Sequence, residues 1–320
     1  MINTELKTNQ HAPPCPVCHS LAQKWRYSSD HVYSVTEYKA QYWSCRSCEL
    51  KFVHPMPERN VVAEFYPNGY WQEHEKVGTL SRLEHFYTQI MLRRDLLQWI
   101  KNAIQPGQSD MTFLDIGCSR GDLLAEARVL GLQVYGIESD ERAIAYARRT
   151  YHLDIMQGDV ETWTPNETYG IISAFHVLEH LRNPLDFLTK VHRALPAGGR
   201  LVLRVPNIAS VQAHLMGSKW KGLEIPRHLF HYSPKSLAHL LSTAGFKIHE
   251  WSTWSLRDGP PALTSSLCQR GEPTWQLIKK RPSLFWKLVY LKLNWFLTIP
   301  ELLAAVRGKG GMITVIATKK

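Results

Sequence analysis

From residue 112 onward the chain alternates short apolar runs with amphipathic stretches, the pattern of strands and helices taking turns. Residues 112–117, 133–138, 154–157, 169–175, 200–206 and 246–254 read as strands, and 312–318 as a seventh. Residues 121–130, 140–151, 184–195 and 234–244 read as the intervening helices, with Ser233 placed to cap the last. Upstream, apolar positions between 83 and 100 recur at helical spacing until Pro106-Gly107 stops them. Such alternation favours a parallel sheet with right-handed crossovers and helices on both faces, an α/β doubly wound sheet.

The first 57 residues have another pattern. Trp, Tyr and Val alternate roughly through 25–45 as in a β ribbon, framed by two Cys-x-x-Cys pairs, Cys15/Cys18 and Cys45/Cys48. Two such pairs can bring four thiolates onto one tetrahedral Zn²⁺ with no position left open. We therefore expect a structural zinc ribbon, which buries too little apolar surface to fold without its metal. Phe52-Val53-His54-Pro55-Met56-Pro57 reads as a linker, and 61–71, dense in aromatics and proline, as a segment packing on the α/β domain. The expected division is 1–57 for ribbon and linker, 58–255 plus 312–320 for the α/β domain, and 256–311 for an insertion.

Composition narrows the classes of function. With 44% hydrophobic and 21% charged residues in 320, the chain is neither disordered nor collagen-like. The formal charge of +10 favours an anionic partner: nucleic acid, an anionic lipid surface or a phosphate-bearing substrate. No apolar signal segment opens the chain and no uninterrupted apolar run of about 18 residues occurs, so a reducing cytoplasm is expected.

In Leu114-Asp115-Ile116-Gly117-Cys118-Ser119-Arg120-Gly121, glycines leave the first strand of the alternation and open a helix, where open α/β sheets bind nucleotides. Gly117 lets the backbone approach a ligand, and Gly121 lets the helix start against the strand. Glu138 ends the next strand, where a carboxylate can accept both hydroxyls of a ribose. Alone, this loop suits a dinucleotide as well. Followed by Gly158-Asp159-Val160 and by Ala174-Phe175-His176-Val177-Leu178-Glu179-His180, the ordered set resembles class I S-adenosylmethionine-dependent methyltransferases over about residues 83–255 plus the last strand. The resemblance implies a seven-stranded Rossmann-like sheet with an antiparallel last strand. It also implies that Asp115, Gly117 and Gly121 hold the methionine part of S-adenosylmethionine, Glu138 its ribose, and Asp159 with the Val160 backbone the adenine edge. Ser119 and Phe175 complete that cofactor set; Ser119 stands where the family usually has glycine. The ribbon together with residues 50–57 is similar to bacterial methyltransferases of cell-surface glycan and natural-product pathways.

On the acceptor side, His176, Glu179 and His180 fall on one face of a helical turn. Three roles are open: a general base at His176 or His180, a second divalent metal that polarises an acceptor hydroxyl, or hydrogen bonds that shape the loop. Ubiquinone-biosynthesis and small-RNA 2′-O-methyltransferases look similar here, with E-x-x-E-H binding magnesium. His176 replaces the first glutamate, and imidazole suits zinc, iron or manganese better. After residue 206, Arg227, His228, His231 and Tyr232 reach the same face: His228 joins the catalytic candidates, and Arg227 reads as a bidentate clamp for phosphate or carboxylate.

Residues 275–300 mix lysines, Trp and Tyr into an apolar stretch that reads as too interrupted to span a bilayer. It fits an interfacial helix on a membrane surface, a lid or a dimer face. The expected reaction is O-methylation of a sugar, a lipid-linked glycan or a related small molecule, in the cytoplasm or peripherally on the inner membrane face. An RNA methyltransferase is the first alternative, supported by charge and ribbon but opposed by the absence of Asn/Asp-Pro-Pro-Tyr/Phe at 175–178. A cofactor-binding scaffold without activity is the second.

Overall fold

The computed structural model describes residues 11–66, 90–105 and 111–320. The expected helix over 83–100 and its Pro106-Gly107 stop lie partly outside them. A ribbon of β1 (Ala22–Ser29), β2 (Lys39–Cys45) and β3 (Lys51–Val53) is followed by the short α1 (Arg59–Ala63). Residues 90–94 are helical, and after a break at Asp95 the helix resumes as α2 (Leu96–Ala103), burying Leu96, Leu97, Trp99 and Ile100. The alternation then runs β4 (Thr112–Ile116), α3 (Asp122–Val129), β5 (Gln133–Glu138), α4 (Glu141–Tyr151), β6 (Met156–Gln157), β7 (Ile171–Phe175), α5 (Pro184–Ala194) and β8 (Arg200–Pro206). Next come α6 (Val211–Met216), β9 (Phe230–His231), α7 (Pro234–Thr243) and β10 (Phe246–Ser252). Ser233 caps α7 as expected: its hydroxyl accepts from the Ser236 amide at 3.2 Å. The insertion holds α8 (Gly259–Leu267), α9 (Pro273–Ile278) and α10 (Leu284–Val306), and β11 (Met312–Lys319) closes the chain.

Seven strands form one sheet in the order β10-β11-β8-β7-β4-β5-β6. β11 is antiparallel to both β8 and β10, while β6, β5, β4, β7 and β8 are parallel. Strands β4, β7 and β8 are buried almost throughout, as parallel strands covered on both faces must be. This is the Rossmann-like doubly wound sheet expected from the alternation. Because β5 and β7 flank β4 on opposite sides, the loops leaving β4 and β7 lie together at the point where strand order reverses.

The ribbon is less separate than the division at residue 57 suggests. β3 pairs with β9 of the α/β part, Phe52 opposite Phe230, so the small sheet runs β1-β2-β3-β9. One apolar cluster includes Tyr42, Trp43 and Phe52 of the ribbon with Leu229 and Phe230 at β9 and Leu203 of the larger sheet. The insertion also differs from expectation. α10 is a continuous 23-residue helix, carried through Pro300, and by length and composition it is long and apolar enough to cross a membrane.

Candidate active site

β4 delivers Asp115 to the carboxyl end of the sheet with its side chain buried, and Ser173 of the neighbouring β7 donates to its Oδ1 at 2.5 Å. Burial pushes the Asp115 carboxyl up to about 7 against that hydrogen bond. Gly117 turns the chain at φ 72°, where a Cβ would come within 2.8 Å of Val177 Cγ2. Gly121 opens α3 at φ 75°, with its Cβ position 2.8 Å from Leu153 Cδ1. Both positions therefore require glycine. Ser119 is left-handed too, at φ 50°, and its amide donates to Glu138 Oε2 at 2.8 Å. The other Glu138 oxygen accepts from the amides of Ser139 and Asp140, at 2.7 and 3.0 Å. Glu138 thus stands beside the glycine loop at the end of β5, with both oxygens on backbone amides. Asp159 lies after β6, its Oδ1 accepting from the Glu161 amide at 2.7 Å and its Oδ2 in contact with Arg59 of α1. Val160 packs on the core, and the Phe175 ring sits 5.7 Å from the Arg204 guanidinium.

The residues after β7 divide into two groups. His176, held at φ 57°, points Nδ1 at Glu179 Oε1 (3.3 Å) and Nε2 at Asp258 Oδ2 (3.2 Å). Burial pulls its pKa down, but hydrogen bonds to Asp258 and Glu179 outweigh it and raise the imidazole to about 9. His176 is therefore a proton-bearing link between two carboxylates at neutral pH. That state fits neither the general base nor the metal ligand considered from sequence. Asp258 belongs to a buried network that the sequence motifs do not mark. Arg204, fully buried on β8, donates from Nη1 to Asp258 (2.8 Å) and Ser255 (3.0 Å), from Nε to Thr314 (2.8 Å), and from Nη2 to Asp95. An arginine inside the apolar run Leu201-Val-Leu-Arg-Val was the available signal, since a buried guanidinium requires carboxylates. Asp95 stands at the break before α2.

The second group is Glu179, His180 and His228, whose ligand-type atoms lie within 4.8 Å of one another. Glu179 is buried, and among the described residues its Oε2 has no hydrogen-bond partner. Burial opposes its charge, yet His176 beside it, with His180 and His228, holds the carboxyl below its usual range. His228 donates Nδ1–H to the Gly222 carbonyl at 2.9 Å. Burial, with His180 adding, lowers it to about 4, so it is a neutral imidazole with its Nε2 lone pair open. The His180 Nδ1 lies 3.0 Å from Tyr66 Oη and 3.2 Å from the Arg227 carbonyl. The Glu179 carbonyl accepts from the amides of Leu229 and Phe230, which binds this turn to the segment entering β9.

Other expected contacts turn inward. Arg227 is no clamp for substrate: fully buried, it donates to Asp30 of the ribbon from Nη2 (3.0 Å) and Nη1 (3.2 Å), and to the Phe65 carbonyl at 2.8 Å. His231 and Tyr232 are buried, and Tyr232 Oη donates to the Leu178 carbonyl at 3.2 Å. A cavity of about 520 Å³ opens instead between ribbon and α6, lined by Trp25, Arg26, Lys51, His214 and Lys309.

In the ribbon, Cys15 and Cys18 face Cys45 and Cys48 with Sγ separations of 3.3–3.7 Å. Four thiolates around one Zn²⁺ at ~2.3 Å would stand about 3.8 Å apart. Each pair is followed by a left-handed residue, His19 at φ 58° and Glu49 at φ 66°, which turns the backbone back over its cysteines.

A family profile described as a methyltransferase domain matches residues 87–250. A ubiquinone biosynthesis O-methyltransferase of Cereibacter sphaeroides is 28% identical over 218 residues, 59% of this chain and 85% of its own. A probable S-adenosylmethionine-dependent methyltransferase of Mycolicibacterium smegmatis is 29% identical over 43% of this chain and 52% of its own, and the chain spans about half the length or less of several relatives it matches. An S-adenosylmethionine-dependent methyltransferase structure from Mesorhizobium loti covers 68% of this chain and 95% of its own at 16% identity and TM-score 0.45. With the profile spanning more than half its length, the chain belongs to the class I S-adenosylmethionine-dependent methyltransferases.

Proposed function

We propose that the chain transfers the methyl group of S-adenosylmethionine to a hydroxyl of a sugar, a lipid-linked glycan or a related small molecule. The observation that carries this reading is the Glu179, His180 and His228 cluster beside the end of β7, a buried carboxylate with one unsatisfied oxygen next to two imidazoles. In such a transfer the acceptor oxygen attacks the sulfonium methyl in line, the carbon–sulfur bond breaks toward S-adenosylhomocysteine, and the hydroxyl proton passes to solvent water. Positioning supplies most of the rate. Asp115, Gly117, Ser119, Gly121, Glu138, Asp159, Val160 and Phe175 are the proposed cofactor side. His176 positions Glu179 from its far oxygen.

An imidazole held near 4 is a weak general base at neutral pH and a good metal ligand. Glu179, His180 and His228 therefore fit a divalent cation, and their mixed nitrogen and oxygen set suits zinc, manganese or iron over magnesium. When bound, that ion would lower the pKa of the acceptor hydroxyl. Cys15, Cys18, Cys45 and Cys48 fit a separate, structural Zn²⁺. The cavity beside Trp25 supports a phosphate-bearing acceptor: Arg26 and Lys51, both stacked over the Trp25 ring, and Lys309 line it and offer charge to phosphate.

For His228→Ala we expect methyl transfer into host extract to fall by about 100-fold, with S-adenosylmethionine affinity by calorimetry unchanged. Wild-type transfer by that variant would end the proposed role of the cluster.

A further inference from the structure

α10 presents a long apolar face that, among the described residues, nothing covers. Leu284, Leu288, Leu291, Trp295, Ile299, Leu302 and Val306 succeed one another at intervals of three or four, and all are exposed, with Phe285, Phe296 and Leu303 beside them. Trp295 is 71% exposed and Val306 79%, far more than an apolar face inside a folded chain tolerates. The opposite stripe is tied to the body of the protein. Tyr290 Oη meets Ser265 Oγ at 3.1 Å, and Thr264 donates to Asn294 at 3.3 Å. Gln212 donates to Glu301 at 3.0 Å, and Thr253 to the Ala305 carbonyl at 3.1 Å.

These ties fix the orientation. They run from the first third of the helix to its last turn, and Gly308–Gly311 lead directly into β11 in the interior of the sheet. A helix of 23 residues, about 35 Å long, cannot thread a bilayer while one side rests along its length on the protein. It can lie in the plane of an interface. Charge selects the occupant. From Lys279 to Lys320 the chain carries nine Lys or Arg and one acid, the buried Glu301. Lys292 stands within the apolar face, where its methylenes can lie on lipid and its ammonium can reach phosphate, and Lys280, Arg281, Arg307 and Lys309 flank the ends. A second copy on the same face would bring like charges together, with no exposed acid on α10 to answer them.

We propose that α10 docks the protein in plane on an anionic lipid surface, its apolar face at the level of the acyl boundary. This deepens the acceptor reading without resting on it. Asp258 immediately precedes α8 and bonds His176, and Gly259 of α8 abuts Glu301 of α10. The docked helix is thus one layer from the end of β7, placed to serve an amphiphilic acceptor held in the bilayer.

The test is cosedimentation of the full chain with vesicles of phosphatidylcholine alone or with 30% phosphatidylglycerol (roughly the anionic fraction that gives basic helices their electrostatic gain), in the absence of cofactor and acceptor. Binding is expected to the anionic vesicles, weaker in high salt. It should fall by about tenfold or more in Trp295→Ser/Phe296→Ser, whose folding is checked by circular dichroism, and fall partly in Lys292→Gln. Equal sedimentation of wild type and the double variant would overturn the proposal. So would a dimer by light scattering that dissociates in the double variant without any vesicle binding. Loss of vesicle binding with methyl transfer to soluble acceptors intact would leave the proposed reaction standing, so the two readings fail separately.

Discussion

A Cys45→Ser chain should lose the zinc proposed for its ribbon and most of its methyl transfer, while keeping most of its affinity for S-adenosylmethionine. Burial pushes the Cys15 thiol up to about 11 and Cys48 in the same direction, while hydrogen bonds from Ser20 and the neighbouring cysteines outweigh burial and lower Cys18 to about 6; four sulfurs within 4.8 Å of one another can all be thiolates only with a cation between them. Apparent zinc binding in such sites is worth about 10–16 kcal/mol, and in a module this small that is folding energy. The loss would not stay in the ribbon. β3 pairs with β9, and Tyr42 Oη donates to the His228 carbonyl at 2.9 Å, so the ribbon holds the segment that presents His228. The glycine loop after β4 and Glu138 at the end of β5 lie on other elements, in the large sheet. Metal analysis should show one zinc fewer per chain than wild type, and calorimetry should show cofactor binding within a few-fold. Equal zinc in both chains would refute the site.

Asp30→Ala should cost about 3 kcal/mol or more, because it leaves a guanidinium fully buried with less than its full complement of charge. Arg227 would retain Glu224 Oε1 at 3.3 Å and the Phe65 carbonyl, but Glu224 also answers Lys221 at 3.1 Å. Asp30 further accepts from the amides of Tyr33 and Val35, at 3.0 and 3.1 Å, so its loop would loosen with it. In thermal unfolding this is roughly 5–10 °C. Arg227→Met alone should be comparably harmful. The double variant Asp30→Ala/Arg227→Met should be less destabilised than the sum of the two, the signature of a coupled pair. Additive effects would show that the pair does not join ribbon to sheet.

Much of the architecture was legible because its signals are local. Alternating apolar runs located β4 through β8, a Ser-Pro pair started α7, and repeated Cys-x-x-Cys gave the knuckles. Illegible features depend on residues brought together from afar. Nothing near Asp30 marks it as the partner of Arg227, 197 positions away, and β9 is two residues inside a loop. Arg227 was read as a substrate clamp because sequence shows a residue's type and strand end but not which way it faces. His176 and His180, grouped by spacing, separate once Asp258 draws His176 aside and His228 approaches His180, whose ring centroid is 4.7 Å away. α10 looked interrupted because its lysines and Pro300 break the run in one dimension, whereas on the helix the apolar positions line up.

The central claim is methyl transfer from S-adenosylmethionine to a hydroxyl of a sugar or lipid-linked glycan, and its most direct measurement is radiolabelled transfer into host extract. Wild type and Asp115→Ala are compared, and the products are partitioned by solvent extraction, glycosidase and nuclease. Asp115-dependent label that extracts with lipid or is released by glycosidase is the expected result. Nuclease-sensitive label would contradict the claim and make the chain an RNA methyltransferase; saturable cofactor binding with no Asp115-dependent label in any fraction would contradict it in favour of a scaffold.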